Sequence, residues 1–230
     1  MINIQDSVAK ATKTLIFSEP LYGLFLIGIN KKYSIRIPTA GVSKNNIGVQ
    51  LTINPEFFTD LSLDHRLGLI KHELLHIAFG HLVLRSKYAD KKLFNIAADL
   101  EINQYIRTDR LPDGGLLLSS FPELNLKAKA GTKYYYDKLL EAQQDGTSPT
   151  LDSLMSQMQG DTPYCHTTWD DFNNMSEADK KLLQKQIEHQ LKEAAEQTIK
   201  KCGNIPGELK NLIDRILNVE PPKFDWKGYL

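Results

Sequence analysis

Lys71-His72-Glu73-Leu74-Leu75-His76-Ile77-Ala78-Phe79-Gly80-His81 carries the pattern H-E-x-x-H inside a run whose apolar spacing is helical. Residues four apart on a helix differ by only about 40° around its axis, so His72 and His76 project side by side and can share one metal ion. Neutral imidazole suits Zn²⁺, and three protein ligands leave one coordination position open. Glu73 sits about 100° from His72, too far round to be an equal ligand but within reach of a zinc-bound water. Zinc lowers the pKa of such a water to about 7, and the Glu73 carboxylate can take its proton as it attacks a carbonyl. On the helical wheel Leu67, Ile70, Leu74 and Ala78 make one apolar stripe, while His72, His76 and Gly80 fall together on the other side. A helix that carried histidines by chance would not sort them in this way.

The third ligand is sought in the next helical stretch, Phe94-Asn95-Ile96-Ala97-Ala98-Asp99-Leu100-Glu101-Ile102-Asn103. Asn95, Asp99 and Asn103 share one face at i+4 intervals, and the small Ala97 and Ala98 allow close packing. Asp99 is therefore the expected third ligand, with its supporting hydrogen bonds supplied locally. Glu101 is an alternative, but it points about 160° away from the Asn103 side, so it and Asp99 do not serve together. His81 is the other alternative. On a helix continuing to Arg85 it points about 140° from His76, towards the apolar stripe, and reads as a packed or hydrogen-bonded histidine. Only a helix break at Gly80 makes it a ligand. His65 lies about 10 Å further along the axis from His72 and reads as a surface or rim residue.

The rest of the chain sets the fold around this helix. A first helix carries Val8, Ala11, Leu15 and Ile16 on one side and stops at Pro20. Leu24-Phe25-Leu26-Ile27 and Ser34-Ile35-Arg36-Ile37 suggest two strands around an Asn30-Lys31-Lys32 turn, and Gly41 to Asn46 reads as a loop. Val49, Leu51 and Ile53 alternate with Gln50 and Thr52 in a strand from Ile47 to Ile53, ended by Pro55. Helices follow over Ser62 to about Arg85, Asp90 to Arg107, Lys133 to Gln143, and Ser176 to Gly203, with a last short one from Gly207 to Leu217. Residues 108–130 read as loop, and Asp145 to Asn174 is ambiguous. A few strands ahead of many helices make an α+β fold. It consists of a small N-terminal sheet with the H-E-x-x-H helix over residues 1–145, and a helical extension over 146–230.

Composition narrows the function. The 230 residues are 41% hydrophobic and 24% charged, which excludes wholesale disorder. Lys+Arg and Asp+Glu are both 28, so the chain lacks the positive excess of a nucleic-acid or membrane-surface binder, and a nuclease reading finds little support. No apolar run approaches the roughly 20 residues of a membrane span. The N-terminus has no basic segment ahead of an apolar one, and Cys165 and Cys202 are too few for a disulfide framework. A reduced, cytoplasmic protein is expected.

His72-Glu73-Leu-Leu-His76-Ile-Ala-Phe-Gly80-His81 and Asn95-Ile-Ala-Ala-Asp99-Leu-Glu-Ile-Asn103 resemble a family of bacterial and phage metallopeptidase domains. Leu111-Pro112-Asp113-Gly114-Gly115-Leu116, Tyr134 to Leu140 and His166-Thr-Thr-Trp169 fit the same pattern. The resemblance implies a zincin-like fold, zinc at His72 and His76, and Glu73 as general base. It also implies a von Willebrand factor A-like domain following this one, and MoxR-type AAA+ ATPases as companions. The chain ends in Pro221-Pro222-Lys223-Phe224-Asp225-Trp226-Lys227-Gly228-Tyr229-Leu230 without that second domain, an aromatic ending of a kind that enters another packed element, so a shortened chain is expected.

The sequence thus predicts a zinc-dependent hydrolase acting on peptide or protein, with His72, His76 and Asp99 as ligands and Glu73 activating water. His166 and one of Tyr134, Tyr135 and Tyr136 are candidates to stabilise an oxyanion. The strand from Ile47 to Ile53, read as an edge, could receive an extended peptide. The alternative is a non-catalytic zinc-stabilised interaction module beside an ATPase, whose site would be closed by a fourth protein ligand.

Overall fold

The computed structural model describes residues 3–45, 48–157, 169–205 and 207–217. Two helices open it, α1 (Ile4–Ser18) and α2 (Pro20–Gly28). Three strands follow, β1 (Asn30–Tyr33), β2 (Ala40–Lys44) and β3 (Val49–Ile53). A short α3 (Pro55–Asp60) leads into α4 (Leu63–Ala78), α5 (His81–Leu84) and α6 (Lys91–Ile102). After a run of 3-10 turns come α7 (Thr132–Asp145), α8 (Pro149–Gln157), α9 (Asp170–Asn173), α10 (Glu177–Cys202) and α11 (Gly207–Leu217). The architecture is α+β, as the sequence predicts.

Five local expectations need correction. Residues 20–28 form a helix rather than a strand: Pro20 occupies its first turn, where a missing N–H costs nothing, so it starts α2 as well as stopping α1. A short apolar run fits a buried helix as well as a strand, and here Leu21, Tyr22, Phe25 and Leu26 are all buried. Gly23 permits this arrangement, because a Cβ there would lie 2.5 Å from the Ile16 backbone nitrogen of α1. The strand that follows is Asn30–Tyr33, whereas Ser34 to Ile37 is not a strand and Ile35 is exposed. Gly41 to Lys44, part of the Gly41 to Asn46 stretch read as loop, belong to β2, since pairing and burial of Val42 override their weak strand propensity.

The sheet order is β1-β3-β2, with β3 parallel to β1 and antiparallel to β2. The strand expected at the edge is therefore the central one, and its Leu51 and Ile53 point into the core.

The fifth correction falls on the central helix. It does not run to Arg85 but ends at Ala78, and the chain bends by 55° before resuming as α5. Gly80 adopts φ 72°, a left-handed conformation that favours glycine, and its N–H reaches the Ile77 carbonyl at 3.0 Å. Among the described residues no single helix is long and apolar enough to cross a membrane.

α4 is buried on nearly every side, so its apolar stripe is one part of a wider contact. Its start is fixed by the Ser62 hydroxyl, which accepts from the His65 N–H at 3.1 Å. Gly68 lets the 3-10 turn Thr108–Arg110 press against it, since a Cβ there would meet the Arg110 carbonyl oxygen at 1.8 Å. Lys71 pairs with Glu19 at 2.8 Å and lies over the Tyr22 ring, and Glu19 also binds Arg110 at 2.7 Å. α6 is capped by the Asp90 carboxylate on the N–H groups of Lys92 and Leu93, and it packs against both α4 and α7. α10, capped by Ser176 and closed by Gly203 as its sequence predicts, lies against α2 and α4.

Candidate metal centre

α4 and α6 bring His72, His76 and Asp99 together. Each offers one ligand atom, and these atoms all lie within 4.8 Å of one another, so the group could bind a metal ion. His76 Nε2 is 3.0 Å from His72 Nε2 and 3.1 Å from Asp99 Oδ1, while His72 Nε2 is 3.7 Å from the same oxygen. His76 is fully buried and Asp99 nearly so, whereas His72 is partly open.

The back of each imidazole is held. His72 Nδ1 lies 2.8 Å from Asn103 Oδ1, and the Asn103 amide donates from its nitrogen to the Leu116 carbonyl at 2.8 Å. That donation fixes the oxygen towards the histidine, so Asn103 accepts from a protonated Nδ1 and leaves Nε2 to face the other two groups. His76 Nδ1 instead lies 2.9 Å from His81 Nδ1.

The position of His81 differs from the expectation for a continuous helix. The bend at Gly80 turns it back beneath His76, where it is fully buried and stands outside the three-residue group. Its Nε2 lies 2.9 Å from Thr132 Oγ1 and 3.3 Å from Glu101 Oε2. Glu101 accepts from the Thr132 N–H at 2.9 Å and from the Thr132 hydroxyl. Burial alone would push the Glu101 carboxyl up; the hydrogen bond from His81 and the two Thr132 donors outweigh it and hold it below the usual carboxylate value. Asp99 and Glu101 thus serve different partners.

Several other residues were not marked out by the sequence for these positions. The Trp169 ring, fully buried, meets His76 edge-on with centroids 4.8 Å apart. It is set by its neighbour Asp170, which binds Arg85 at 2.7 Å, while Arg85 also donates to Asn95 at 3.1 Å. Thr132 carried one legible sign, its place after Gly131 at the start of a helix. Arg85 carried none that pointed to this role, and Trp169 only its place in the His166-Thr-Thr-Trp169 segment that fits the family pattern.

A cleft of about 220 Å³ opens over the group. Glu73, His72 and Asp99 line it, with Phe57 and Leu111 among its apolar walls and His65 as a partly exposed polar one. The start of β2, an outer strand of the sheet, borders the same cleft through Thr39, Ala40 and Gly41. Tyr134, Tyr135 and Tyr136 are not among its lining residues. The Tyr135 hydroxyl donates to the Lys127 carbonyl at 2.8 Å, and those of Tyr134 and Tyr136 accept from Lys127 and Asp90 backbone N–H groups. These phenols organise loops. His166 lies outside the described residues, as do Cys165 and the terminal segment from Pro221.

The model of a family described as "Putative metallopeptidase domain" matches residues 5–230. An uncharacterized protein of Thermotoga maritima is 30% identical over 104 residues, which are 44% of this chain and 26% of the relative, so the chain spans about a quarter of that protein's length. No solved structure matches. With the family match running over nearly all of its residues, the chain belongs to this metallopeptidase-domain family.

Proposed function

We propose that this protein is a zinc-dependent hydrolase of peptides, zincin-like in its chemistry, with His72, His76 and Asp99 as zinc ligands and Glu73 as general base. The observation that carries the reading is the approach of three donor atoms from two helices. Ligand distances of about 2.0–2.1 Å in a tetrahedron set the donors about 3.3–3.4 Å apart. The separations here, 3.0, 3.1 and 3.7 Å, bracket that value. Two imidazoles and a carboxylate are a donor set that zinc accepts, and three protein ligands are the number found in open, catalytic sites. A structural site would need a fourth, and among the described residues the group has three.

Zinc bound there supplies Lewis acidity to a scissile carbonyl and makes water a stronger acid. The remaining work falls to the chain. Asn103 and His81 hold the two imidazoles with Nε2 forward. Glu73, on the same helix and lining the same cleft, accepts a proton from the attacking water and returns it to the departing amine. The apolar walls of the cleft favour an apolar side chain, and the outer strand β2 offers extended backbone beside it for pairing with a peptide.

Glu73→Gln tests the chemistry. The amide is nearly isosteric but cannot take a proton at neutral pH, so cleavage of an unfolded protein or peptide library should fall by at least about 100-fold with zinc content unchanged. Equal cleavage by the variant would contradict the proposed base. Absence of cleavage by both proteins, with zinc retained, would favour a non-catalytic interaction module.

A further inference from the structure

We propose, on the strength of that zinc reading, that His81 is a positioning residue that sets the tautomer of His76, and that Thr132 and Glu101 set the polarity of His81 in turn. The hydrogen-bond bookkeeping has one consistent solution for a metal ligand. A neutral His76 that presents an Nε2 lone pair to a metal carries its proton on Nδ1. The Nδ1–Nδ1 contact of 2.9 Å needs one donor and one acceptor, so His76 Nδ1–H donates and His81 Nδ1 accepts. A neutral His81 then has its proton on Nε2, 2.9 Å from Thr132 Oγ1.

Thr132 Oγ1 can accept that proton's hydrogen bond because its own hydrogen goes to the Glu101 carboxylate. Glu101 is an acceptor only, and it takes the Thr132 N–H at 2.9 Å as well. It sits at the first turn of the fourteen-residue α7, where unpaired backbone N–H groups favour an anion. The carboxylate therefore starts a one-way chain: Thr132 donates to Glu101, His81 to Thr132 with Glu101 Oε2 as a second, longer acceptor at 3.3 Å, and His76 to His81. Reversing the His76–His81 bond would put the His76 proton on Nε2 and abolish its lone pair there. Every member is buried, with His76 and His81 at 0%, Thr132 at 7% and Glu101 at 9% exposure, so the order is set by protein groups.

This differs from the backing of His72 Nδ1, which meets the Asn103 amide oxygen. It also gives Glu101 and Thr132, neither of which lines the cleft, a role in ligand geometry.

The test uses the full chain loaded with zinc or Co²⁺, with affinity read by chelator competition and geometry by the Co²⁺ absorption spectrum. His81→Leu removes the acceptor and should weaken zinc binding by about 10–100-fold and alter the spectrum. His81→Asn can place an amide oxygen where Nδ1 stood and should restore most of the affinity and the spectrum. Thr132→Val keeps the shape and removes the hydroxyl, so it should weaken binding even if His81→Leu fails to fold. Nitrogen NMR of the zinc-loaded protein should show His76 protonated at Nδ1. Wild-type affinity and spectrum in His81→Leu, or in Thr132→Val where the leucine variant does not fold, would overturn the proposal, as would His76 protonated at Nε2. His76→Ala separates the two claims: if it keeps its zinc, the metal reading fails, and if it alone loses zinc, only the positioning role fails.

Discussion

His72, His76 and Asp99 approach one another because two i+4 ladders face across one helix pair, His72/His76 on α4 and Asp99/Asn103 at the end of α6. That much was legible in the sequence, since periodicity fixes which residues share a face before any packing is known. The divergence of Asp99 and Glu101 was legible for the same reason. The placement of His81 against His76 was not, because it depends on a bend whose only sign was Gly80, and a glycine near a helix end permits a break without requiring one. Asn103 gives a prediction at this scale. Its oxygen holds His72 with Nε2 forward, so Asn103→Ala should weaken zinc binding by about tenfold, near the lower end of what outer hydrogen-bond partners contribute. Asp99→Ala should weaken it far more. Chelator competition ranks the two, and a stronger effect of Asn103→Ala would contradict the ligand assignment.

Elements were read less evenly than residues. The long helices α4, α6 and α10 show sustained periodicity and identifiable caps, and their existence followed from the sequence. α2 and β2 did not. An apolar run such as Leu21 to Ile27 is compatible with a helix or a strand, and a glycine- and serine-containing segment becomes a strand only when β3 is there to pair with it. Close approaches were equally hidden. Gly68 gives no sign in sequence that the Arg110 carbonyl lies where its side chain would be. Gly68→Ala should therefore force α4 and the 3-10 turn apart and destabilise the protein by about 1–3 kcal/mol, the usual range for overpacking. Gly80→Ala, strained by its left-handed backbone, should cost about 1–2 kcal/mol. Urea unfolding midpoints measure both, and a Gly68→Ala protein as stable as wild type would mean that the turn does not pack there.

At the scale of the whole molecule the site is a meeting point. α4 and α6 supply the three candidate ligands, α5 brings His81, the start of α7 brings Thr132, and Trp169 ahead of α9 covers the His76 ring. The sequence could suggest the first pair, because each carries its own pattern; the other contributors are joined only by tertiary packing over a span from His72 to Trp169. Their agreement on one geometry, with three donor atoms within 4.8 Å of one another, is the reason to expect a bound metal. The direct measurement is elemental analysis of the purified full chain beside His76→Ala, Asp99→Ala and, as a control, His65→Ala. The account predicts close to one zinc per chain in the wild type and in the His65 variant, and little in the other two. Zinc content unchanged by loss of His76 and of Asp99 would contradict it.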